Sequence, residues 1–212
     1  MRLAISQRVD VVASYGERRD ALDQAWHSLL DQVGAIALPV PNKPSLVSSW
    51  LAQVQPEGVV LTGGNDLAQL PDASNPAPER DATEQALLAH AQINRLPVLA
   101  VCRGAQMMNV FLGGQLSAVD GHVARRHPLH VTDALPALAG LTEVNSFHAW
   151  GLTSAELNTE CRTAATAGDG TVEAFVHTEL PWVGLLWHPE RESAPYISQD
   201  LAVLRHLFGN SL

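Results

Sequence analysis

Two cysteines occur in the chain, and Cys102 is the one placed for chemistry. It lies in PVLAVCRGAQMMNVFLGGQL, residues 97–116, where an apolar run gives way to a small-residue turn and then a helical pattern. A thiol on a tight strand-to-helix turn is exposed, and the backbone N–H of the next residue can meet an oxyanion there. The helix N-terminus also favours thiolate over thiol. Gly104 suits such a turn, because a side chain two residues on would crowd it. On AVCRG alone, a small buried core thiol accounts for Cys102 equally well. The segment VGLLWHPE shifts the balance. VGLLW reads as a strand, so His188 and Glu190, two apart, can face one side. A carboxylate that orients an imidazole and stabilises its charged form completes a nucleophile–base–orienter set. Pro189 lacks an N–H and belongs where that strand ends.

Other segments offer binding groups. In TGGND, Thr62 to Asp66, paired glycines let the backbone approach a substrate and present an N–H; alone, the stretch is an ordinary Gly-rich turn. Gln7 and Arg8 fall just past the first apolar run. Arg18 and Arg19 are expected in a loop before the first helix. Arginine suits phosphate through bidentate hydrogen bonds, while a solvated loop pairing with Glu17, Asp20 and Asp23 is the structural alternative. GHVARRHPLH suggests a metal set from His122, His127 and His130. Pro128 interrupts it, and no nearby cysteine or carboxylate completes it, so no metal is assigned. Cys161 reads as structural. Trp150 and Trp187 flank the site motifs as pocket walls or, by default, core aromatics.

These residues need a scaffold. RLAIS, AIALPV, GVVLTGG and PVLAVC are short apolar runs. Between them, DALDQAWHSLLDQVG (Leu22, Trp26, Leu29, Leu30 and Val33 at helical spacing, Gly34 as stop), SLVSSWLAQV and ERDATEQALLAHAQINR read as helices, and RGAQMMNVFLGG follows the last run as another. This alternation predicts an α/β domain with a mostly parallel sheet. From Gln115 to Glu190 the runs are shorter and more polar (QLSAV, HVT, EVNSFHAW, RTAAT, TVEAFVH, WVGLLWH), which predicts antiparallel strands added to the sheet edge or forming a small flap. LAVLRHLFG, Leu201 to Gly209, reads as a closing helix. In open α/β sheets ligands sit beyond the carboxyl ends of the strands, and Cys102 is at such an end.

Composition sets the outer bounds. A chain of 212 residues with 46% hydrophobic and 17% charged residues suits one domain, 1–212, with a substantial core. A net charge of −9 argues against nucleic-acid polymers and anionic membranes as partners, though not against a small anionic ligand in a local basic pocket. Two cysteines make no disulfide framework. No run approaches the roughly 18 apolar residues of a spanning helix, and the apolar stretch within MRLAISQRVD is too short for a signal peptide, so a cytoplasmic location is expected.

Taken together, AVCRGAQMMNVFLGG, TGGND, VNSFH and GLLWHPE resemble class I glutamine amidotransferases, most closely the gamma-glutamyl hydrolase branch that includes gamma-glutamyl-GABA hydrolases. The resemblance runs in order from the first strand to Glu190. It implies a flavodoxin-like α/β fold with Cys102 as nucleophile, His188 as base and Glu190 as orienting acid, no cofactor, and a small-molecule gamma-glutamyl substrate. It further implies backbone N–H groups of Gly64 and Arg103 as the oxyanion hole, and Gln106 near the glutamyl group. The backbone of Asn145, Ser146 and Phe147 would hold the substrate's amino and carboxylate ends. RDATE, Arg80 to Glu84, is similar to an R-D-x-x-E stretch of the hydrolase branch. Two positions depart from the pattern. Ala100 replaces the first glycine of G-x-C-x-G, and His148 is followed by Ala149 instead of a second histidine. The stretch ISQRVD with YGERRDALDQAW resembles a short subgroup that includes gamma-glutamyl-CDP-amidate hydrolase, which would make Arg8 a substrate contact. A glutaminase subunit serving a synthase partner shares the triad, and a non-catalytic or redox-sensing relative shares the fold; both stay open, as does a homodimer.

Overall fold

In the computed structural model, which describes residues 1–209, five apolar segments lie side by side as parallel strands. They are β1 (Arg2–Ile5), β4 (Ile36–Pro39), β5 (Gly58–Leu61), β6 (Val98–Val101) and β13 (Trp182–Leu185). Four further strands extend the sheet: β12 (Val172–His177), β11 (Cys161–Ala167), β8 (Val123–Val131) and β9 (Glu143–Phe147). The order is β4-β1-β5-β6-β13-β12-β11-β8-β9, parallel as far as β13 and antiparallel beyond it. The parallel part has the order of a flavodoxin-like doubly wound sheet.

Helices cover both faces. α1 (Ala25–Asp31) and α5 (Ile197–Phe208) pack on one, and α2 (Pro44–Val54), α3 (Pro78–Asn94) and α4 (Arg103–Phe111) on the other. The strands alternate accordingly. Leu3 and Ile5 of β1 join Trp26, Leu30 and Phe208, whereas Ala4 joins Val47, Leu87 and Met108. Burial on both faces explains why these strands read as continuous apolar runs. No described helix is long and apolar enough to cross a membrane.

Three expectations need correction. Arg18 and Arg19 are not in a loop: β2 (Arg8–Val12) and β3 (Glu17–Ala21) form an antiparallel hairpin outside the main sheet, closed by a turn in which the Gly16 N–H donates to the Val12 carbonyl. The first helix begins at Ala25, where the Asp23 carboxylate accepts the Ala25 N–H at 3.0 Å, so Leu22 lies outside it. The run WVGLLWH is no edge addition. β13 pairs parallel with β6 and is buried along its length, which puts His188 at the same sheet edge as Cys102. A second small ribbon pairs β7 (Ser117–Ala118) with β10 (Trp150–Gly151).

Candidate active site

Cys102 follows β6 and precedes α4 with φ +51° and ψ −111°, a conformation that a non-glycine residue adopts only when its surroundings impose it. Those surroundings are visible. The Cys102 N–H donates to the Leu185 carbonyl of β13 at 2.7 Å, and its own carbonyl accepts the Gln106 N–H at 3.1 Å, starting the helix. A Cβ at position 104 would lie 2.4 Å from the Leu61 carbonyl oxygen, so only glycine lets α4 start this close to β5. Ala100 is fully buried in β6 and the turn forms with it in place. Cys102 itself is 6% exposed.

His188 follows β13. Its Nδ1–H donates to Glu190 Oε1 at 2.6 Å, in a short helical turn at Pro189–Arg191. The imidazole faces the Cys102 side chain. Gly63 closes the space beside them: a Cβ there would come within 2.6 Å of His188 Cε1 and 3.5 Å of Cys102 Cβ. Burial alone would push the imidazole down. The facing Cys102 sulfur and Glu190 outweigh that and hold His188 up at about 9. Cys161 differs sharply: buried and beside Glu160, its thiol is pushed up to about 12, which makes it inert.

The RDATE stretch turns out to support both glycine-loop and cysteine-turn backbones. Arg80 is fully buried on α3; it donates to Glu84 Oε1 at 2.9 Å, the Gly64 carbonyl at 2.5 Å and the Thr62 carbonyl at 2.6 Å. Arg103 reaches across to Glu84 and Asp81. Residues 62–64 and the start of α4 are thereby pinned to one helix. Gly64 has φ +81°, and a Cβ there would meet Arg8 Cδ at 2.9 Å. The i,i+4 spacing of Arg80 and Glu84 was the available signal; a solvated surface pair has the same spacing.

The remaining residues divide. Arg8 lines a narrow cleft of about 30 Å³ with Gly63, Gly64, His188, Glu190 and Arg191, though its guanidinium pairs with Asp10 at 3.2 Å. Arg18 pairs with Glu79 and Arg19 with Glu17, away from the cleft. The Gln106 side chain donates to the Trp150 carbonyl at 2.7 Å. The Asn145 backbone N–H and Ser146 hydroxyl are committed within the protein, to Glu192 at 3.1 Å and to the His122 carbonyl at 2.6 Å. Phe147 stands edge-on to the His188 ring, centroids 5.8 Å apart, with Arg191 stacked over it at 4.7 Å. Beyond Phe147 lies a wider groove of about 570 Å³, lined by Arg125, Arg126 and Arg191. Arg126 is committed to Glu143 and Glu192, Arg191 approaches Glu190 at 3.6 Å, and Arg125 adds further positive charge. Trp187 is core, its indole N–H donating to Asp200 at 2.9 Å, and Trp150 is half-buried.

The histidine-rich segment also departs from expectation. His130 stands apart, and a carboxylate does complete a cluster: Glu173 of β12, remote in sequence, meets His122, His127 and His148. Sheet pairing brings them together, which local spacing cannot reveal.

A family model described as Peptidase C26 matches residues 4–190. Gamma-glutamyl-CDP-amidate hydrolase of Campylobacter jejuni subsp. jejuni is 27% identical over 195 residues, covering 91% of this chain and 92% of that protein. Gamma-glutamyl-gamma-aminobutyrate hydrolase of Escherichia coli O157:H7 is 28% identical over 217 residues, covering 85% and 83%. Among solved structures, a protein from Thermoplasma acidophilum assigned as a GMP synthase subunit superposes with a TM-score of 0.73 at 18% identity, covering 99% of this chain and 92% of that one; that likeness is one of fold.

Proposed function

Because the chain belongs to the peptidase C26 family of class I glutamine amidotransferase-like hydrolases, we propose that it hydrolyses the gamma-glutamyl amide bond of a small conjugate, with Cys102, His188 and Glu190 as its triad. The observation that carries this reading is the pairing of a cysteine held at φ +51° with an imidazole that a buried carboxylate grips at 2.6 Å. The family's gamma-glutamyl hydrolases point to the glutamyl half of the substrate.

In this mechanism the Cys102 sulfur attacks the side-chain carbonyl carbon. The oxyanion takes the amides of Gly64 and Arg103, each such donor being worth roughly 3–4 kcal/mol. His188, carrying the proton, delivers it to the leaving nitrogen as the C–N bond breaks. A glutamyl thioester remains. Water then attacks with His188 as base, the C–S bond breaks, and glutamate leaves. Glu190 keeps the imidazole oriented and its charge balanced throughout. The thiolate supplies the nucleophile, and no cofactor enters these steps.

The groove beside Phe147 supports an anionic leaving group. Arg125 and Arg191 line it next to His188, and Arg8 adds charge at the cleft on the other side. A phosphate-bearing amidate fits this better than a neutral amine. The enzyme acts unaided and in the cytoplasm, where a reducing environment keeps a free thiol such as Cys102 active.

The test is glutamate release from L-glutamine, gamma-glutamyl-GABA and gamma-glutamyl-CDP-amidate, by the wild type and by Cys102→Ala. Fast release from a conjugate, lost in the variant, supports the reading. Slow release from glutamine alone points instead to a glutaminase subunit, and no release from any substrate removes the triad assignment. In Arg125→Ala, KM for the amidate should rise several-fold while that for gamma-glutamyl-GABA stays unchanged.

A further inference from the structure

Beside the segment 145–147, four side chains converge in a way the hydrolytic mechanism does not use. His122 precedes β8, His127 lies on it, His148 follows β9, and Glu173 is on β12. Their facing atoms all lie within 4.8 Å of one another. Glu173 Oε1 is 3.1 Å from His122 Nδ1, 3.4 Å from His127 Nε2 and 3.3 Å from His148 Nε2. Glu173 is fully buried, and His122 and His148 nearly so.

These contacts lack hydrogen-bond geometry. His122 Nδ1, His127 Nε2, His148 Nε2 and both Glu173 oxygens are buried polar atoms without a partner. Such groups are costly to leave unsatisfied. The outer nitrogens explain how the inner ones are set. His148 Nδ1 donates to the Trp150 carbonyl at 3.1 Å, and His122 Nε2 donates to Asp169 at 2.8 Å. A neutral imidazole with one nitrogen committed as a donor presents a lone pair on the other. The inner nitrogens of His122 and His148 thus face Glu173 Oε1 and, once each ring holds only its outer proton, present lone pairs there.

We propose that His122, His127, His148 and Glu173 bind a zinc ion. Zinc bonds of about 2.0–2.1 Å set tetrahedral ligand atoms roughly 3.3–3.4 Å apart, close to the three contacts with Glu173 Oε1. Three imidazoles and one carboxylate form a donor set that zinc accepts. The outer hydrogen bonds are those of metal-binding histidines, whose second nitrogen donates to a carboxylate or carbonyl. Asp169 and Glu173 together balance the ion's two positive charges. With four protein ligands the site is closed and structural. It fastens β12 to the segment bearing Asn145 and Phe147, because the His122 carbonyl accepts from both the Ser146 hydroxyl and the His148 N–H.

The full-length protein, expressed with zinc supplied and then dialysed, should carry about one equivalent by elemental analysis, retained in Cys102→Ala. Removing it with a chelator should lower Tm by roughly 5–10 °C, restored by zinc. Cobalt(II) reconstitution should give the visible d–d bands of a tetrahedral N/O site. Glu173→Gln and, at the cluster's more open side, His127→Ala should each lose the metal while circular dichroism stays native; His127→Ala decides the matter if Glu173→Gln does not fold. Absence of bound zinc after reconstitution, with no chelator-induced shift, would overturn the proposal in favour of a proton-sharing cluster. Zinc that persists in both variants, or that departs in Cys102→Ala, would overturn it equally.

Discussion

Asn145 and His188 hold one another through two hydrogen bonds: the His188 N–H donates to Asn145 Oδ1 at 3.0 Å, and Asn145 Nδ2 donates to the His188 carbonyl at 2.9 Å. The amide of β9 thus fixes the backbone of His188, the proposed base, a role distinct from the substrate contact expected of its main chain. Asn145→Ala leaves two buried backbone groups unpaired, at a cost of about 1–3 kcal/mol. Denaturant unfolding should show that loss. Steady-state kinetics should show kcat falling on the order of tenfold or more, with KM changing less, because His188 is misplaced while substrate contacts remain.

The pH profile follows from His188. Its pKa is raised from 6.5 to about 9, so the proton needed by the leaving nitrogen is present across neutral pH and lost above about 9. Activity should fall as pH rises through that value. The same raised pKa contributes stability that is complete below pH 6.5 and fades as pH rises through about 9. Glu190→Gln removes one of the charges holding the pKa up. Its alkaline limb should move to lower pH, with kcat reduced on the order of a hundredfold. A limb that does not move would place the titration on another group.

Glu84 is shared by two buried arginines, bonding Arg80 through Oε1 and Arg103 through Oε2. Burial already lowers Arg80 to about 10 even with this partner in place. Glu84→Ala leaves both guanidinium groups without their shared anion, and removing one member of a buried ion pair costs about 3–5 kcal/mol. Thermal unfolding should register this. In whatever folded protein remains, kcat should drop further than in surface variants, because the 62–64 loop and the Arg103 amide lose their common anchor.

Asp200 carries the opposite signature. It is buried, and desolvation raises its carboxyl from 3.8 to about 7 despite the Trp187 N–H, which favours ionisation. Between those pH values the folded protein keeps a proton that the unfolded chain has released. Stability therefore falls as pH rises through this window and stays reduced above it. Asp200→Asn keeps an acceptor for Trp187 and removes the charge. It should raise stability at pH 8 by at most about 4 kcal/mol, and by much less at pH 4. Paired melts at the two pH values measure the difference.

The sequence's continuous apolar runs and helical patterns were sufficient for the parallel strands β1, β4, β5 and β6, because β1, β5 and β6 are buried on both faces and separated by amphipathic helices. Cys102 and His188 were legible for a related reason: each lies just past the carboxyl end of a strand that an apolar run marks, Cys102 at once and His188 three residues on. What stayed hidden depends on pairing between distant segments. Asn145 meets His188 across 43 residues, and Glu173 meets His122 across the β8–β11–β12 part of the sheet. Periodicity carries no record of either. The β2–β3 hairpin was missed because ERRDA is charged up to its final alanine, and only its pairing with RVDVV makes it a strand.

The cysteine turn itself gives a paired test. Gly104→Ala sets a Cβ 2.4 Å from the Leu61 carbonyl oxygen and 2.7 Å from its carbon, both backbone atoms that cannot swing aside. β5 and α4 must separate, at a cost of about 1–3 kcal/mol or more, and the Arg103 amide moves with the helix. Activity should collapse more steeply than stability. Ala100→Gly changes a buried strand position two residues before Cys102 and restores the glycine of the related turn pattern. It should cost about 0.5–1 kcal/mol through added chain entropy and leave kcat/KM unchanged, since β6 forms the turn with either residue. Kinetics and unfolding on the two variants together separate the role of glycine in the turn from that of the strand before it. Equal losses of activity in both would show that the turn depends on position 100 as much as on position 104.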